Sequence, residues 1–359
     1  MKYEYWLAAI SCLSDSKKRL LREEYKEGRA VYYIEEMQLR RLPFLKDKEV
    51  EGILAAKKEI KLQREWERLI EKNIRFVPYF SEEYPKKLSQ IGDGPYALYV
   101  KGKLPKEGSL SVAIVGARKC TPYGEEMALD YGKYLAEHGV QVISGMARGV
   151  DGAGHRGALN GGGVTFGVLG CGVDICYPRE NIGLYMDIQK RGGVISEQLP
   201  AKPPLPMYFP MRNRIISGLS DVVLVMEARE KSGSLITADQ ALEQGKDVYA
   251  LPGPATSRLS LGCHFLIRQG AGILISPKDL LTELGIAGKE LEQKSDKIEK
   301  MLENDENVVY SCLGFFPKGI SQLIEETGLS APVLMQELIS LELKGCIREV
   351  SKNYYIRVR

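Results

Sequence analysis

Two short loops in the middle of the chain combine glycine, arginine and a helix start, a pattern typical of phosphate binding. In the first loop, Gly116 allows a close backbone turn and Arg118 adds a fixed positive charge, just before Thr121–Pro122 opens a helix. In the second loop, Arg148 follows an apolar run, and Asp151 is expected to be the N-cap of the next helix. Both loops therefore predict contacts with an anion.

Two later loops supply the rest of the predicted phosphate site. Their candidate residues are Phe209, Arg212, Asn213, Arg214, Ser232, Gly233, Ser234 and Thr237. Small hydroxyl residues and glycine let a phosphate approach backbone N–H groups closely. One such loop is often only a turn, and a single arginine is often a surface ion pair. Four loops of this kind together favour a site built for phosphates.

The spacing within FPMRNR assigns its side chains different directions. Phe209 and Arg212 are three residues apart and share one helix face, so both are expected to point in the same direction. Arg214 is turned about 200° from Arg212 by the 3.6-residue period and is expected to pack against a carboxylate or a loop carbonyl. For Phe209, a core aromatic is the alternative interpretation.

The elements that position these loops are apolar strands alternating with helices. The strand candidates are SVAIVGA, QVISGMA, VTFGVLG, GVISE, DVVLVME, DVYALPG and GILIS, preceded by the extended patches IRFVPYF and YALYVKG. Nearly continuous apolar strands separated by helices indicate a parallel sheet covered on both faces. The predicted fold class is α/β with a doubly wound core. Its ligands are expected at the carboxyl ends of the strands.

Two flanking regions complete the predicted organisation. Residues 1–73 have helical periodicity and strong charge, which predicts a helical N-terminal domain before the 74–288 core. The charged stretch 287–297 is expected to be a linker. In 296–359, the helices KIEKMLEN, GISQLIEETG and SAPVLMQELISLELKG precede the strands CIREV and NYYIRV, which predicts a winged helix.

The third helix of the predicted winged helix argues against DNA reading. Ser330 is its expected N-cap, with Pro332 in the first turn. A helix that reads DNA would carry basic side chains. This helix carries Glu337 and Glu342 against the single Lys344. Docking to a protein is therefore the favoured role.

Composition limits the class of protein. The chain has 359 residues, 44% hydrophobic and 27% charged, which is ordinary for soluble globular domains. The net charge of +3 is too small to prove a polyanion partner, so a basic site has to be local. No apolar run reaches membrane-span length and no signal peptide is apparent, which predicts a cytoplasmic protein that does not bind a membrane. The seven cysteines lack metal-ligand spacing and are expected to be reduced, and no metal or cofactor is expected.

The motifs of common nucleotide enzymes are missing from the sequence. There is no G-x-x-x-x-G-K-[ST] run, and GAR stands where a G-x-G-x-x-G fingerprint would follow the first strand. There is also no GxSxG or HExxH motif. His155 and His264 have no metal-spaced partners and are expected to be structural or exposed. The predicted site therefore binds without catalysing a reaction.

At these motifs the sequence closely resembles the DNA-processing protein A family (DprA, also called Smf). The matching stretches are VAIVGARKCTPYG, VISGMARGVDGAGHRGAL, GVLGCGVDICYPREN, GGVISEQLP, FPMRNRIISGLSDVVLVMEA, SGSLITADQALEQGKDVYALPG and GCHFLIRQGA. The resemblance implies an extended Rossmann-like domain that binds single-stranded DNA, protects incoming strands and loads a RecA-type recombinase during natural transformation and recombination. Carried over by position, Arg118, Arg148 and the Arg212–Arg214 segment with Phe209 are the implied DNA contacts. Phe209 and Arg212 are then expected to point together at the backbone of the DNA strand, and Phe209 is a candidate platform on which a base can stack.

The resemblance also implies a homodimer. The family is generally dimeric through the end of the α/β domain, which here reads GCHFLIRQGAGILI. His264, Ile267 and Ile273 are the candidate interface residues. The alternative is that the two isoleucines face the core of their own domain.

Two other functions stay open on the sequence. The sheet type also resembles lysine-decarboxylase-like nucleotide phosphoribohydrolases, whose signature is PGGxGTxxE. In this chain Gln240 stands at the catalytic glutamate position, which argues against hydrolysis, although Asp239 and Glu243 lie nearby. The third hypothesis is an interaction module that acts through the winged helix.

Overall fold

The computed structural model describes residues 1–286, 304–314 and 316–357. Its N-terminal part is helical, as predicted, with α1 (Lys2–Ala9), α2 (Asp15–Tyr25), α3 (Gly28–Tyr33), α4 (Glu36–Arg40), α5 (Asp47–Glu59) and α6 (Leu62–Glu71). Trp6, which is completely buried, lies in the core of these helices, and its indole N–H donates to the carbonyl of Ala56. Burial of one large aromatic side chain stabilises a small helical layer.

A nine-stranded sheet forms the centre of the molecule. Its strands are β1 (Arg75–Pro78), β2 (Ala97–Gly102), β3 (Ser111–Val115), β4 (Gln141–Ser144), β5 (Thr165–Val168), β6 (Gly193–Ser196), β7 (Val222–Val225), β8 (Asp247–Ala250) and β9 (Gly272–Ile273). The strand order is β1-β2-β6-β5-β4-β3-β7-β8-β9. The seven strands from β3 to β9 pair in parallel, so the predicted parallel sheet is confirmed.

Helices cover both faces of the parallel sheet. They are α7 (Lys86–Ser89), α8 (Pro122–Glu137), α9 (Val150–Asn160), α10 (Ile182–Arg191), α11 (Tyr208–Leu219), α12 (Gly233–Glu243), α13 (Leu261–Arg268) and α14 (Pro277–Glu283). One face buries side chains of α11, α12 and α13, and the other buries α8, α9 and α14. Burial on both faces explains why the strand sequences are apolar at successive positions.

The first two strands join the sheet differently from the rest. β2 pairs antiparallel with β6, and β1 pairs antiparallel with β2. Phe76 and Tyr99 on these strands pack into the same core as Trp6 and the other N-terminal helix residues. The helical layer and the sheet therefore share a hydrophobic core, and the division of the chain at residue 73 stays a prediction.

The strand order reverses next to β3. The chain runs from β3 outward through β4 and β5 on one side, and resumes with β7, β8 and β9 on the other. The connections after β3 and β7 therefore leave in opposite directions, which opens a crevice between Val115 and Val225 at their carboxyl ends. Doubly wound sheets bind their ligands at such a crevice.

Within residues 304–314 and 316–357, the C-terminal part contains three helices and a small sheet. They are α15 (Asn304–Cys312), α16 (Ile320–Thr327), α17 (Ala331–Leu343), β10 (Lys318–Gly319), β11 (Ile347–Ser351) and β12 (Tyr354–Arg357). The linker predicted at 287–297 and nearly all of the predicted helix KIEKMLEN lie outside the described residues. Ser330 is the N-cap of α17 as predicted, but its hydroxyl makes no capping hydrogen bond.

The C-terminal part contacts the first two turns of α8. The rings of Tyr123 and Phe316 stack with their centroids 5.8 Å apart. Arg348 on β11 lies 3.3 Å from the buried carboxylate of Glu126. These two contacts link the winged helix to the helix that follows the Arg118 loop.

Among the described residues, no helix combines the length and the apolar character needed to cross a bilayer.

Candidate nucleic-acid interface

A cavity of about 500 Å³ lies at the carboxyl ends of β3 and β7, where the strand order reverses. We refer to it as the cleft. Its lining residues are Val115, Gly116, Arg118, Ala147, Asp151, Tyr177, Pro206, Phe209, Pro210, Arg212, Asn213, Ile216, Lys231, Ser232, Gly233, Ser234 and Thr237. All four loops singled out in the sequence contribute to it. Its charged lining comprises three cationic side chains and one carboxylate, so the balance favours an anion.

The start of α8 is already bonded to a carboxylate of the protein itself, which the sequence-based expectation of an external anion did not include. Glu227, just after β7, accepts hydrogen bonds from the backbone N–H and the hydroxyl of Thr121 at 2.8 and 2.6 Å. A Cβ on Gly124 would lie 2.5 Å from the Glu227 carboxyl carbon, so the first turn fits closely around this carboxylate. The protein's own anion therefore takes the position that a phosphate would occupy at a free helix start.

The start of α9 also differs from the prediction. Its N-cap is Gly149, with φ of 69°, and the predicted cap Asp151 lies in the first turn. The Asp151 carboxylate accepts the N–H of Ala147 at 3.4 Å and lines the cleft. Burial raises the pKa of Asp151, while the nearby charge of Arg212 acts to lower it. A glycine was needed as the cap because the turn requires a left-handed backbone.

The start of α12 is open to the cleft. Ser232 is its N-cap and accepts the N–H of Ser234 at 3.4 Å, while Gly233 and the buried Thr237 line the same wall. Lys231, which is not among the residues predicted from the sequence, is exposed beside them. Backbone N–H groups at a helix start with an adjacent lysine suit a phosphate. The predicted role of this loop is therefore compatible with its geometry.

Arg212 lines the cleft from beneath and is only 5% exposed. Its Nη1 donates to the carbonyl of Val168 at 2.5 Å, at the end of β5. A Cβ on Gly145 would overlap the same nitrogen, so only glycine leaves room for the guanidinium. Burial lowers the pKa of Arg212 to about 10, which leaves it charged at neutral pH. The prediction that Arg212 and Phe209 point together at the backbone of a bound DNA strand therefore needs correction, because the Arg212 guanidinium bonds to the sheet beneath the cleft.

Phe209 and Arg118 meet at the mouth of the cleft. The guanidinium carbon of exposed Arg118 lies 5.2 Å from the Phe209 ring centroid, within the range of a cation–π contact. The ring of Tyr177 lies 5.6 Å from that of Phe209. Phe209 is half-buried, so the alternative of a fully buried core aromatic does not describe it.

Asn213 and Arg214 support the neighbouring elements. The Asn213 amide donates to the carbonyl of Gly233 at 3.1 Å, which ties α11 to the start of α12. Arg214 makes ion pairs with Glu197 at 2.5 Å and with Asp93 at 3.2 Å. The expectation that Arg214 packs against a carboxylate is confirmed. Its inclusion among the DNA-contacting residues is not supported by its position, because both partners lie away from the cleft.

Arg148 lies beside the cleft in a smaller cavity that also involves Tyr177 and Phe209. Its guanidinium pairs with Glu180 at 2.5 Å, and both side chains are more than half exposed. An exposed ion pair of this kind contributes little to stability. Arg148 can therefore exchange Glu180 for a phosphate at small cost.

The residues at the phosphoribohydrolase-like position do not line the cleft. Gln240 donates to the carbonyl of Pro210 at 3.5 Å and lies outside the cleft lining, as do Asp239 and Glu243. His155 is fully buried beside Thr165, and burial lowers its pKa to about 3. Across the described residues, no group of three or more His, Cys, Asp or Glu side chains is arranged to hold a metal ion.

The predicted dimer residues differ in exposure. Ile267 packs against the core beneath the sheet, and the Nε2 of His264 donates a hydrogen bond to the carbonyl of Gly253 at 2.9 Å. Ile273, on the terminal strand β9, is 48% exposed, and Phe265 is 44% exposed. Of the three predicted residues, Ile273 is therefore the most exposed.

Tyr177 and Lys231 line the cleft but were not predicted from the sequence. Lys231 directly precedes the predicted loop SGS, so its position beside a helix start was a usable signal. Tyr177 lies in the long connection after β5, and nothing in its local sequence indicates contact with Phe209. Only the return of this connection to the cleft brings the two rings together.

The fold and the cleft define a doubly wound, Rossmann-like protein with a predominantly cationic cleft at the switch point and a winged helix. Residues 75–285 match the family described as DNA recombination-mediator protein A, and residues 293–351 match the DprA winged helix domain. The chain belongs to the DNA recombination-mediator protein A (DprA/Smf) family, which confirms the resemblance found in the sequence.

Relatives of known name cover most of the chain. Protein Smf of Escherichia coli strain K12 is 38% identical over 295 residues, which are 80% of this chain and 78% of that protein. DNA processing protein DprA of Streptococcus pneumoniae is 42% identical over 217 residues, or 60% of this chain and 77% of the relative.

Two solved structures are similar in fold. The X-ray structure of DprA from Streptococcus pneumoniae has a TM-score of 0.70 at 33% identity and covers 79% of this chain and 98% of that one. DprA from Helicobacter pylori, solved in a study of its unique single-stranded DNA binding mode, has a TM-score of 0.53 at 30% identity. The match covers 59% of this chain and 95% of that one.

Proposed function

We propose that the cleft binds the backbone of single-stranded DNA and that the protein acts in DNA recombination without catalysing a reaction. The observation that carries this proposal is the convergence of Arg118, Lys231 and the start of α12 on one cavity. Phe209 and Tyr177 lie at its mouth, where unpaired bases can stack. The single-stranded DNA binding named for the Helicobacter pylori relative supports the same ligand.

Single strands fit this cleft better than duplex DNA. Contacts from the cleft would be to phosphates, which carry no sequence information, and the third helix of the winged helix, α17, carries Glu337 and Glu342 where a major-groove reader would be basic. Stacking on Phe209 requires a base that is free of its partner strand. We therefore expect binding that is tolerant of sequence and selective for single strands.

A titration of labelled oligo-dT and of a duplex of equal length, across a range of salt concentrations, tests this function. The expected result is tighter binding of oligo-dT, with an affinity that falls steeply as salt rises because phosphate contacts release counterions. Equal affinity for the two ligands, or an affinity independent of salt, would contradict it.

The finer proposal is that the protein protects incoming strands and delivers them to a RecA-type recombinase in the cytoplasm. A site that holds phosphates leaves most bases free for a homology search. The third helix of the winged helix, α17, ends with exposed Glu342 and Leu343, a surface better suited to a protein than to DNA. The test is RecA strand exchange on DNA coated with single-strand-binding protein. If a preparation that still binds oligo-dT does not accelerate strand exchange, the proposed delivery of strands to the recombinase is refuted.

We also propose a homodimer through the β9 edge. Ile273 and Phe265 expose apolar surface there, and a two-fold contact would place two clefts on one strand. Ile273→Arg is expected to give a folded monomer with weaker binding to long oligo-dT. Light scattering measures the mass. Ile267→Arg is the contrasting variant, since Ile267 packs on the core and its replacement should destabilise the fold. A dimer that survives Ile273→Arg would refute this interface.

A further inference from the structure

Asp151 is an unexpected residue for a cleft that binds phosphates. Among the described residues that line the cleft it is the one carboxylate, and a negative charge repels a DNA backbone. It accepts backbone hydrogen bonds from Ala147 and Gly145, whereas a carboxylate has about four acceptor positions. Asp151 and Arg212 attract each other electrostatically, but no ion pair within 4 Å joins them. Asp151 therefore has acceptor capacity left for a ligand.

A strand of DNA offers Asp151 no suitable donor along its backbone. Its sugars lack the 2′-hydroxyl, and their 3′ and 5′ oxygens are esterified. A free ribonucleotide carries both 2′ and 3′ hydroxyls. In doubly wound folds, a carboxylate following the second strand of the parallel unit commonly accepts a ribose hydroxyl. Asp151 follows β4, which is the second strand of this unit.

Other lining groups match the remaining parts of a nucleotide. The start of α12 with Lys231 suits a phosphate, and the Phe209–Tyr177 pair suits a base of any identity. The Nε of Arg212 is buried and has no hydrogen-bond partner within the described chain, so it is a donor that a ligand or its water can satisfy. The volume of about 500 Å³ lies within the usual range for small-ligand sites.

We propose that the cleft binds a free ribonucleoside 5′-monophosphate, with a ribose hydroxyl donating to Asp151, and that this nucleotide competes with single-stranded DNA. The nucleotide site itself does not depend on the proposed DNA function; only the competition rests on it. A cell's pool of free ribonucleotide would then set how readily the protein releases a strand.

Calorimetry with the full chain tests the site, using AMP, 2′,3′-dideoxy-AMP, adenosine and inorganic phosphate. AMP is expected to bind about tenfold more tightly than the dideoxy analogue, since a hydrogen bond to a charged group is lost. Adenosine and phosphate are each expected to bind more weakly than AMP. Equal affinity for AMP and the dideoxy analogue would overturn the role of Asp151.

Asp151→Asn supplies the matched variant because it keeps the shape of the side chain and removes its charge. It is expected to reduce the difference between AMP and the dideoxy analogue to less than about threefold. Arg156→Ala, which removes a surface ion pair with Asp187, is the control and should keep the wild-type difference. A full difference in Asp151→Asn would overturn the assignment. If the Asp151→Asn variant does not fold, the comparison of AMP with 2′,3′-dideoxy-AMP on the wild-type protein decides whether a ribose hydroxyl is bound.

Displacement of labelled oligo-dT by AMP separates this inference from the DNA function. Displacement supports a shared cleft. Suppose that oligo-dT binds, while AMP at about 1 mM neither binds the protein nor displaces oligo-dT. The nucleotide site is then refuted and the DNA function stands. If AMP binds while oligo-dT does not, the DNA function fails alone. Release of free adenine from AMP would show that the protein hydrolyses the nucleotide. It would contradict the proposal that the cleft binds without catalysing a reaction.

Discussion

The carboxylate of Glu227 accepts two hydrogen bonds from Thr121, one from the backbone N–H and one from the hydroxyl. Thr121 is the N-cap of α8, which follows β3, and Glu227 lies two residues after the end of β7. Their contact therefore joins the two sides of the switch point. Since this carboxylate already neutralises the start of α8, the start of α12 is left for an external phosphate. One internal contact between a carboxylate and a helix start thus selects between two candidate anion sites.

Removal of this carboxylate should create a new anion site. In Glu227→Ala, the N–H of Thr121 and the first turn of α8 lose their acceptor, which should lower the free energy of unfolding by about 1–3 kcal/mol. Added phosphate should then stabilise the variant more than the wild type, because it binds the freed helix start. Thermal unfolding with and without phosphate measures this effect. Glu227→Gln, which keeps one acceptor oxygen, should respond less, and equal responses in both variants would contradict the prediction.

Arg118 and Lys231 should contribute to DNA affinity through their charges. Both side chains are exposed and line the cleft, so Arg118→Ala and Lys231→Ala should fold normally. Each should weaken oligo-dT binding and reduce the log–log salt slope by about 0.7 for every phosphate that the variant no longer neutralises. Fluorescence anisotropy across salt measures both quantities. Arg156→Ala should leave the slope unchanged, and a slope that stays at the wild-type value in Arg118→Ala would remove that residue from the interface.

Arg212 should matter more for stability than Arg118 does. Arg212→Ala leaves the Val168 carbonyl without its donor and opens space beside Gly145, so a loss of about 3 kcal/mol is expected. Arg118→Ala, at the exposed mouth, should change stability by less than about 0.5 kcal/mol. Urea unfolding of both variants gives the comparison. Similar small losses in the two would show that Arg212 is not a supporting residue.

His155 should make the protein less stable in acid. Burial lowers the pKa of His155 to about 3, while a histidine in the unfolded chain binds its proton near pH 6.5. Between these two values only the unfolded state is protonated at this residue. The free energy of unfolding should therefore fall by about 1.4 kcal/mol per pH unit as pH decreases through this window. His155→Asn should have a flatter dependence, measured by urea unfolding at several pH values. An unchanged slope would assign the acid sensitivity to other groups.

Much of the fold could be predicted because its signals are local. The apolar runs that became β3 to β7 are buried on both faces, and such burial leaves a continuous pattern in the sequence. The antiparallel attachment of β2 to β6 has no such signal, since it depends on which strand edge is free. α15 was missed for a related reason. Its residues Val308 to Tyr310 have high strand propensity, and burial of Val309 and Tyr310 against the other helices outweighs that preference.

The sequence by itself determined which loops carry glycine, arginine and hydroxyl groups and that they meet at one edge of the sheet, since side-chain type and strand periodicity are properties of short segments. The tertiary structure decided which of these groups remain available to a ligand. Glu227 comes from more than a hundred residues after Thr121 and fills the start of α8, while Val168 and Gly145 draw Arg212 beneath the surface. Such pairings depend on distances between distant segments, and those distances are set only when the sheet is assembled.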